Sequence, residues 1–184
     1  MEGNKTEILK RESLWSARLH AKAAKAGIPL SGTFELTSKC NFNCKMCYVH
    51  NQDSALCRKT ERSAEWWINL GKKAVEAGMV FLLITGGEPL LRDDFEEIYI
   101  ALAKMGFLIS INTNGSLLDK YAELFSELPP TRINVSLYGA DNSAYSRLCG
   151  NEAFDKVISS VKQMKELGIS MRFNTIFTPQ NISE

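Results

Sequence analysis

The sequence has no excess of either charge, no long apolar run and no even set of cysteines, and each absence removes a class of function. Lys and Arg number 22 against 21 Asp and Glu, a formal charge of +1, so no long-range field exists to draw in nucleic acid or an anionic membrane. Residues 1–11 are polar and charged and lack the apolar centre of a secretory signal, and no window reaches the length of a membrane span. A soluble, cytoplasmic chain without nucleic-acid or membrane partners is expected. Five cysteines is an odd count, and three of them fall within residues 40–47. That usage indicates a metal site in a reducing compartment rather than a disulfide framework.

What is present is a 45% hydrophobic chain of 184 residues, enough for one core. A helix is predicted over residues 5–26, closed by Gly27 and Pro29, which makes residues 1–30 an N-terminal helical extension. Residues 31–184 alternate strand and helix. Strands are predicted over 33–37, 79–85, 107–112, 132–137 and 169–177. Between them, Ala64, Trp67, Ile68, Gly71, Ala74 and Val75 share one helical face behind an N-cap at Ser63. Asp93 is placed to open a helix with Glu96 in a capping box, carrying Phe95, Ile98, Tyr99, Leu102 and Met105 inward. Further helices are expected over 116–128 and 151–167, and Asn181 has the position of an N-cap for another.

Crossover helices imply a parallel sheet, either doubly wound or a (β/α) barrel. Residues 79–84 read as a strand buried on both faces. The others alternate: Glu35 and Thr37, Ser110 and Asn112, Arg132, Asn134 and Ser136, and Ser170, Arg172 and Asn174 give each strand one polar face. A barrel with a wet, ligand-holding lumen needs that pattern; a sheet with one solvated face would also show it. Glu35 and Arg172 are expected to face the lumen as a pair.

Cys40, Cys44 and Cys47 form a C-x3-C-x2-C run after the first strand. Soft thiolates on a short loop can converge on an iron-sulfur cluster or on zinc. Three ligands leave one iron of a four-iron cluster open, which suits catalysis better than electron carriage. Zinc held by the same cysteines with His50 is the competing reading. The run's place at a strand's C-terminal end, where barrels build active sites, favours chemistry. The second strand ends in Gly86-Gly87-Glu88-Pro89, where glycines let backbone approach a ligand and Glu88 offers a carboxylate to a cation. The third ends in Asn112-Thr113-Asn114-Gly115.

With Ser136-Leu137-Tyr138-Gly139 after the fourth strand, these segments in this order resemble the radical S-adenosylmethionine (radical SAM) superfamily over residues 31–184. Their wording is nearest to the branch of peptide-modifying and sulfatase-maturing enzymes with SPASM or twitch domains. The resemblance implies a partial (β/α)6 TIM-barrel-like core with five of six strands in view, the closing strand following Glu184. It implies that Cys40, Cys44 and Cys47 ligate a 4Fe-4S cluster whose open iron is chelated by S-adenosyl-L-methionine. Reductive cleavage of that cofactor would give a 5′-deoxyadenosyl radical that abstracts hydrogen from a small-molecule or peptide substrate, with flavodoxin or ferredoxin as reductant. Gly86, Gly87 and Glu88 would meet the methionine amino group, Ser136 and Asn134 ribose or methionyl groups, and Arg147 the methionyl carboxylate. Met46 stands where the family commonly has an aromatic residue beside adenine; a thioether can pack there too. Cys57 and Cys149 are read as free or buried thiols.

Overall fold

The computed structural model describes residues 15–47, 49, 61–179 and 181. Residues 15–25 are helical (α1); the earlier part of the predicted helix, together with His50 and Cys57, lies outside the described residues. The succession is then β1 (Ser31–Glu35), α2 (Ala64–Glu76), β2 (Phe81–Thr85), α3 (Phe95–Lys104), β3 (Leu108–Thr113), α4 (Ala122–Glu127), β4 (Arg132–Ser136), α5 (Asn142–Cys149), α6 (Phe154–Glu166) and β5 (Met171–Asn174).

The strands form one parallel sheet in the order β1-β2-β3-β4-β5. Sequential order, with no reversal, is the progression of a barrel wall; a doubly wound sheet would switch direction. Phe34, Leu82, Ile84, Ile109, Ile111, Ile133 and Val135 are buried and belong to one core with Trp67, Ala74, Ile98, Leu102, Val157 and Met164 of the helices. The alternate positions of the strands are therefore left to the inner face. Close approach sets the helical layer: a Cβ added at Gly71 would lie 2.4 Å from Leu102 Cδ2.

Local boundaries differ from the sequence reading for identifiable reasons. The first strand is Ser31–Glu35 rather than 33–37; beyond Glu35 the chain keeps bonding to β2 irregularly, through Leu36 N–H to Thr85 O and Gly87 N–H to Thr37 O. The run 79–84 is not buried on both faces: Phe81 is half-exposed and stacks on His20 of α1, with ring centroids 6.1 Å apart. Ser63 caps α2 as expected, accepting from Trp66 N–H. The capping box does not form. Asp94 occupies the cap of α3 without capping it, because both its oxygens take the Arg92 guanidinium at 2.7 and 2.8 Å. Arg92 is buried and also donates to the Leu36 and Arg62 carbonyls. The helix expected over 116–128 begins as a 3-10 turn, Leu118–Tyr121, whose buried residues Leu118 and Tyr121 stand three apart, the spacing a 3-10 turn aligns. Helix α6 starts at Phe154 rather than 151 and β5 spans Met171–Asn174 rather than 169–177. Asn181 ties its own loop, its amide donating to Tyr138 O and Ile176 O.

Helix α5 was not expected. It is short, but both ends are marked: the Asp141 side chain accepts from Ala144 N–H, and Gly150 closes it at φ 65°. No helix among the described residues is long and apolar enough to cross a membrane.

Candidate cofactor-binding site

The cysteine loop is held from three sides. Beneath it, Gly87 N–H donates to Thr37 O at 2.7 Å and Glu88 N–H to Lys39 O at 2.8 Å. The glycines are required here by backbone rather than by a ligand: a Cβ on Gly86 would meet Thr37 O at 2.3 Å, and one on Gly87 would meet Lys39 O at 2.3 Å. On the β3 side, Asn114 Nδ2 donates to Asn41 Oδ1 at 2.8 Å and to Cys40 Sγ at 3.8 Å. On the far side, Asn43 N–H donates to Cys149 O and Lys45 N–H to Leu148 O. Lys39 pairs with Glu61, which also takes the Thr37 hydroxyl.

A cavity of about 280 Å³ opens at the C-terminal end of the sheet, lined by Cys40, Cys44 and Cys47 together with Met46, Gly86, Gly87 and Ser136. The predicted residues that the structure brings together are these seven. Asn112, Asn114, Tyr138 and Asn174 line it as well; burial raises the Tyr138 phenol, and the Ser136 hydroxyl nearby tempers the rise. Asn174 belongs to the polar alternation read from the sequence, two residues after Arg172 on the same strand face.

Other residues singled out in the sequence stand away from this cavity or from each other. Glu88 is fully buried and does not line the cavity; its carboxylate accepts from Leu90 N–H, Asn114 N–H and the Thr113 hydroxyl, bracing the β2 and β3 loops to each other. Asn134 lies lower, lining a second pocket, and donates its amide to Asn112 Oδ1 at 2.8 Å. Arg147 is exposed on α5, donates to Ser143 Oγ one turn back at 2.8 Å, and does not line the cavity. Glu35 and Arg172 do share a lateral row of the sheet, through the pairs Glu35 with Thr85 and Asn134 with Arg172. They stand on its two edge strands, however, and the ion pairs among the described residues are Lys39–Glu61 and Arg92–Asp94.

Burial pushes the Cys40 thiol up to about 11, partly offset by the Phe42 N–H that donates to its sulfur. Interaction with the neighbouring Cys149 thiol raises Cys44, while Cys149 itself is lowered. Burial likewise lifts Glu88 to about 7. Among the described residues no three His, Cys, Asp or Glu side chains group closely enough to hold a metal ion. The thiols instead ring a shared cavity. Soft sulfur donors lining one cavity suit an iron-sulfur cluster.

A family model, "Radical SAM superfamily", matches residues 34–184. A "Probable GTP 3′,8-cyclase" of Sulfurisphaera tokodaii is 34% identical over 151 residues, covering 81% of this chain and 47% of that protein. A second protein of that name, from Archaeoglobus fulgidus, is 36% identical over 135 residues, covering 73% and 44%. The chain thus spans less than half the length of these relatives. Among solved structures, Streptococcus suis SuiB bound to S-adenosylmethionine superposes with a TM-score of 0.71 at 26% identity, over 93% of this chain and 40% of that one. The fold is also that of anSMEcpe with bound AdoMet, with a TM-score of 0.65 at 21% identity over 79% of this chain and 43% of that one. The match across most of the chain and the superposed partial barrels agree with the cysteine-lined cavity, and the chain belongs to the radical SAM superfamily.

Proposed function

We propose that residues 31–184 are the catalytic core of a cytoplasmic radical SAM enzyme, that residues 1–30 are an N-terminal helical extension, and that Cys40, Cys44 and Cys47 hold the cluster. The supporting observation is that the three thiols line one cavity with Gly86, Gly87, Ser136 and Tyr138. When bound, the cluster and S-adenosylmethionine together supply a one-electron cleavage and a hydrogen-abstracting radical.

The residues of the chain bind and orient. Carbonyls of the Gly86-Gly87 turn accept from the methionine amino group, the Ser136 hydroxyl and Tyr138 phenol meet the ribose or methionyl portion, and Met46 packs against adenine. Phe42 N–H and Asn114 Nδ2 donate to Cys40 sulfur, and donors to cluster sulfurs raise its reduction potential. Asn114→Ala is therefore expected to shift the potential to more negative values, read by a redox titration of the reconstituted chain. An unchanged potential would remove Asn114 from this role.

The substrate lies on the inner face below the cavity. Peptides are one class, consistent with the SuiB structure bound to its precursor peptide SuiA. A purine nucleotide is the second, favoured by the names of the sequence relatives and by Arg132 and Arg172 on the inner-face positions of β4 and β5, where cations would suit an anionic group. Flavodoxin or ferredoxin would supply the electron. Anaerobic reconstitution with iron and sulfide, reduction, and assay of 5′-deoxyadenosine with GTP or a test peptide separates these readings. A brown chain that forms the nucleoside, and a Cys40→Ala/Cys44→Ala/Cys47→Ala variant that binds no iron, are expected. A colourless protein with one zinc, or a brown one that forms no nucleoside, would contradict the proposal.

A further inference from the structure

Three side chains beside Cys40 close a ring of hydrogen bonds whose direction is fixed by one backbone amide. Ser116 N–H donates to Asn114 Oδ1 at 2.9 Å. An N–H cannot accept, so the atom it meets is the amide oxygen, and Asn114 Nδ2 points the other way. That nitrogen donates to Asn41 Oδ1 at 2.8 Å, which turns Asn41 Nδ2 to Ser116 Oγ at 2.9 Å. Having accepted there, the Ser116 hydroxyl gives its own hydrogen to Asn114 Oδ1 at 2.7 Å. Each member thus donates to the next, an arrangement in which the bonds polarise and strengthen one another. Asn114 and Ser116 are buried, and the Asn114 backbone is pinned by its N–H to Glu88. Asn41 is exposed, but it follows Cys40 directly, and the Asn151 side-chain amide donates to its carbonyl at 3.4 Å. Asn114 Nδ2 carries a pair of hydrogens. One is committed to Asn41, and the other is left for Cys40 Sγ, 3.8 Å away.

We propose that Asn41 and Ser116 are positioning residues: they hold the Asn114 amide so that a hydrogen, not its oxygen, meets the Cys40 sulfur, and they tune a cluster bound at Cys40 only through Asn114. The lock itself is a property of the metal-free chain. Its effect on a reduction potential rests on the reading of Cys40 as a cluster ligand. A lost donor to a thiolate sulfur destabilises the reduced, more negative cluster, so loosening the ring drives the potential down. Were the amide to turn over, its oxygen would face the sulfur and oppose the added electron. Asn41→Ala removes an acceptor that no other member of the ring replaces. Ser116→Ala leaves that position's backbone N–H on Asn114 Oδ1, so the first substitution should have the larger effect.

Nuclear magnetic resonance of the isotope-labelled, metal-free chain reads the lock. The side-chain amide protons of Asn114, assigned by their loss in Asn114→Ala, should exchange with solvent more slowly than those of exposed asparagines. Asn41→Ala should abolish that protection while the melting temperature stays close to the parent's. Protons that exchange freely in the parent, or stay protected in Asn41→Ala, overturn the proposal. In the reconstituted chain, a redox titration should give a more negative potential for Asn41→Ala and a smaller shift in the same direction for Ser116→Ala. Neither substitution should shift the potential further when added to Asn114→Ala. Shifts that persist undiminished in the Asn114→Ala background, or no shift while Asn114→Ala alone moves the potential, overturn the proposal as well. A chain that loads no cluster sinks the radical SAM reading alone, since the resonance measurement needs no iron and still decides the lock.

Discussion

Gly87→Ala is expected to lower the melting temperature of the metal-free chain by about 10 °C and to prevent stoichiometric iron loading. The added carbon would lie 2.3 Å from Lys39 O, 2.7 Å from Lys39 C and 2.8 Å from Ser38 O. All three are backbone atoms, so no side-chain rotation relieves the overlap, and overpacking of this kind costs about 3 kcal/mol. The chain that must yield is the one leading into Cys40. Displacing it also threatens the bond from Glu88 N–H to Lys39 O. Stability and iron content should therefore fall together. A Gly87→Ala chain that melts normally and loads iron fully would show that the two loops are not laced as described.

Glu88→Ala is expected to cost about 4 kcal/mol near pH 5, and the cost should shrink as pH rises. One carboxylate oxygen accepts from Leu90 N–H and the other from Asn114 N–H, while the Thr113 hydroxyl lies within 3.0 Å of both. Alanine leaves those donors buried without a partner. Glutamine satisfies only one of the two backbone donors, since its amide nitrogen cannot accept. The pH dependence follows from burial, which raises Glu88 from 4.5 to about 7 against the opposing pull of its donors. The folded chain holds the proton more tightly than the unfolded one. Its contribution is thus complete below about pH 4.5, is withdrawn as pH climbs to about 7, and amounts to about 3 kcal/mol. Chemical denaturation of the metal-free parent and variant across this window reads the gap between them. A gap that grows with pH would mean that the carboxylate is held as the anion.

Glu88 also shows where a sequence stops being informative. Its motif and its position after β2 were legible, and so was the polar alternation of β3 and β4 that leaves Asn112 and Ser136 on the inner face. The burial of the carboxylate was not, because Glu88 is held by the Asn114 amide and Thr113 hydroxyl of a distant loop, and no residue type records such a bond. The cysteine run disclosed three thiols for one site, but not the helix that supports its loop from behind. The Cys149 and Leu148 carbonyls meet the Asn43 and Lys45 amides only because α5 forms. That eight-residue helix is too short for a periodic pattern to stand out, although Asp141 and Gly150 mark its ends. Glu35 and Arg172 illustrate the opposite case: alternation correctly gave them a common face, yet lateral distance across the sheet depends on strand order.

The central claim is that this cavity holds a cluster with an iron open to S-adenosylmethionine. Electron paramagnetic resonance of the reduced, reconstituted chain, recorded before and after the cofactor is added, tests it most directly. A spectrum that changes shape on addition, in a chain carrying its full iron complement, is the predicted result; an identical spectrum at saturating cofactor would contradict the account.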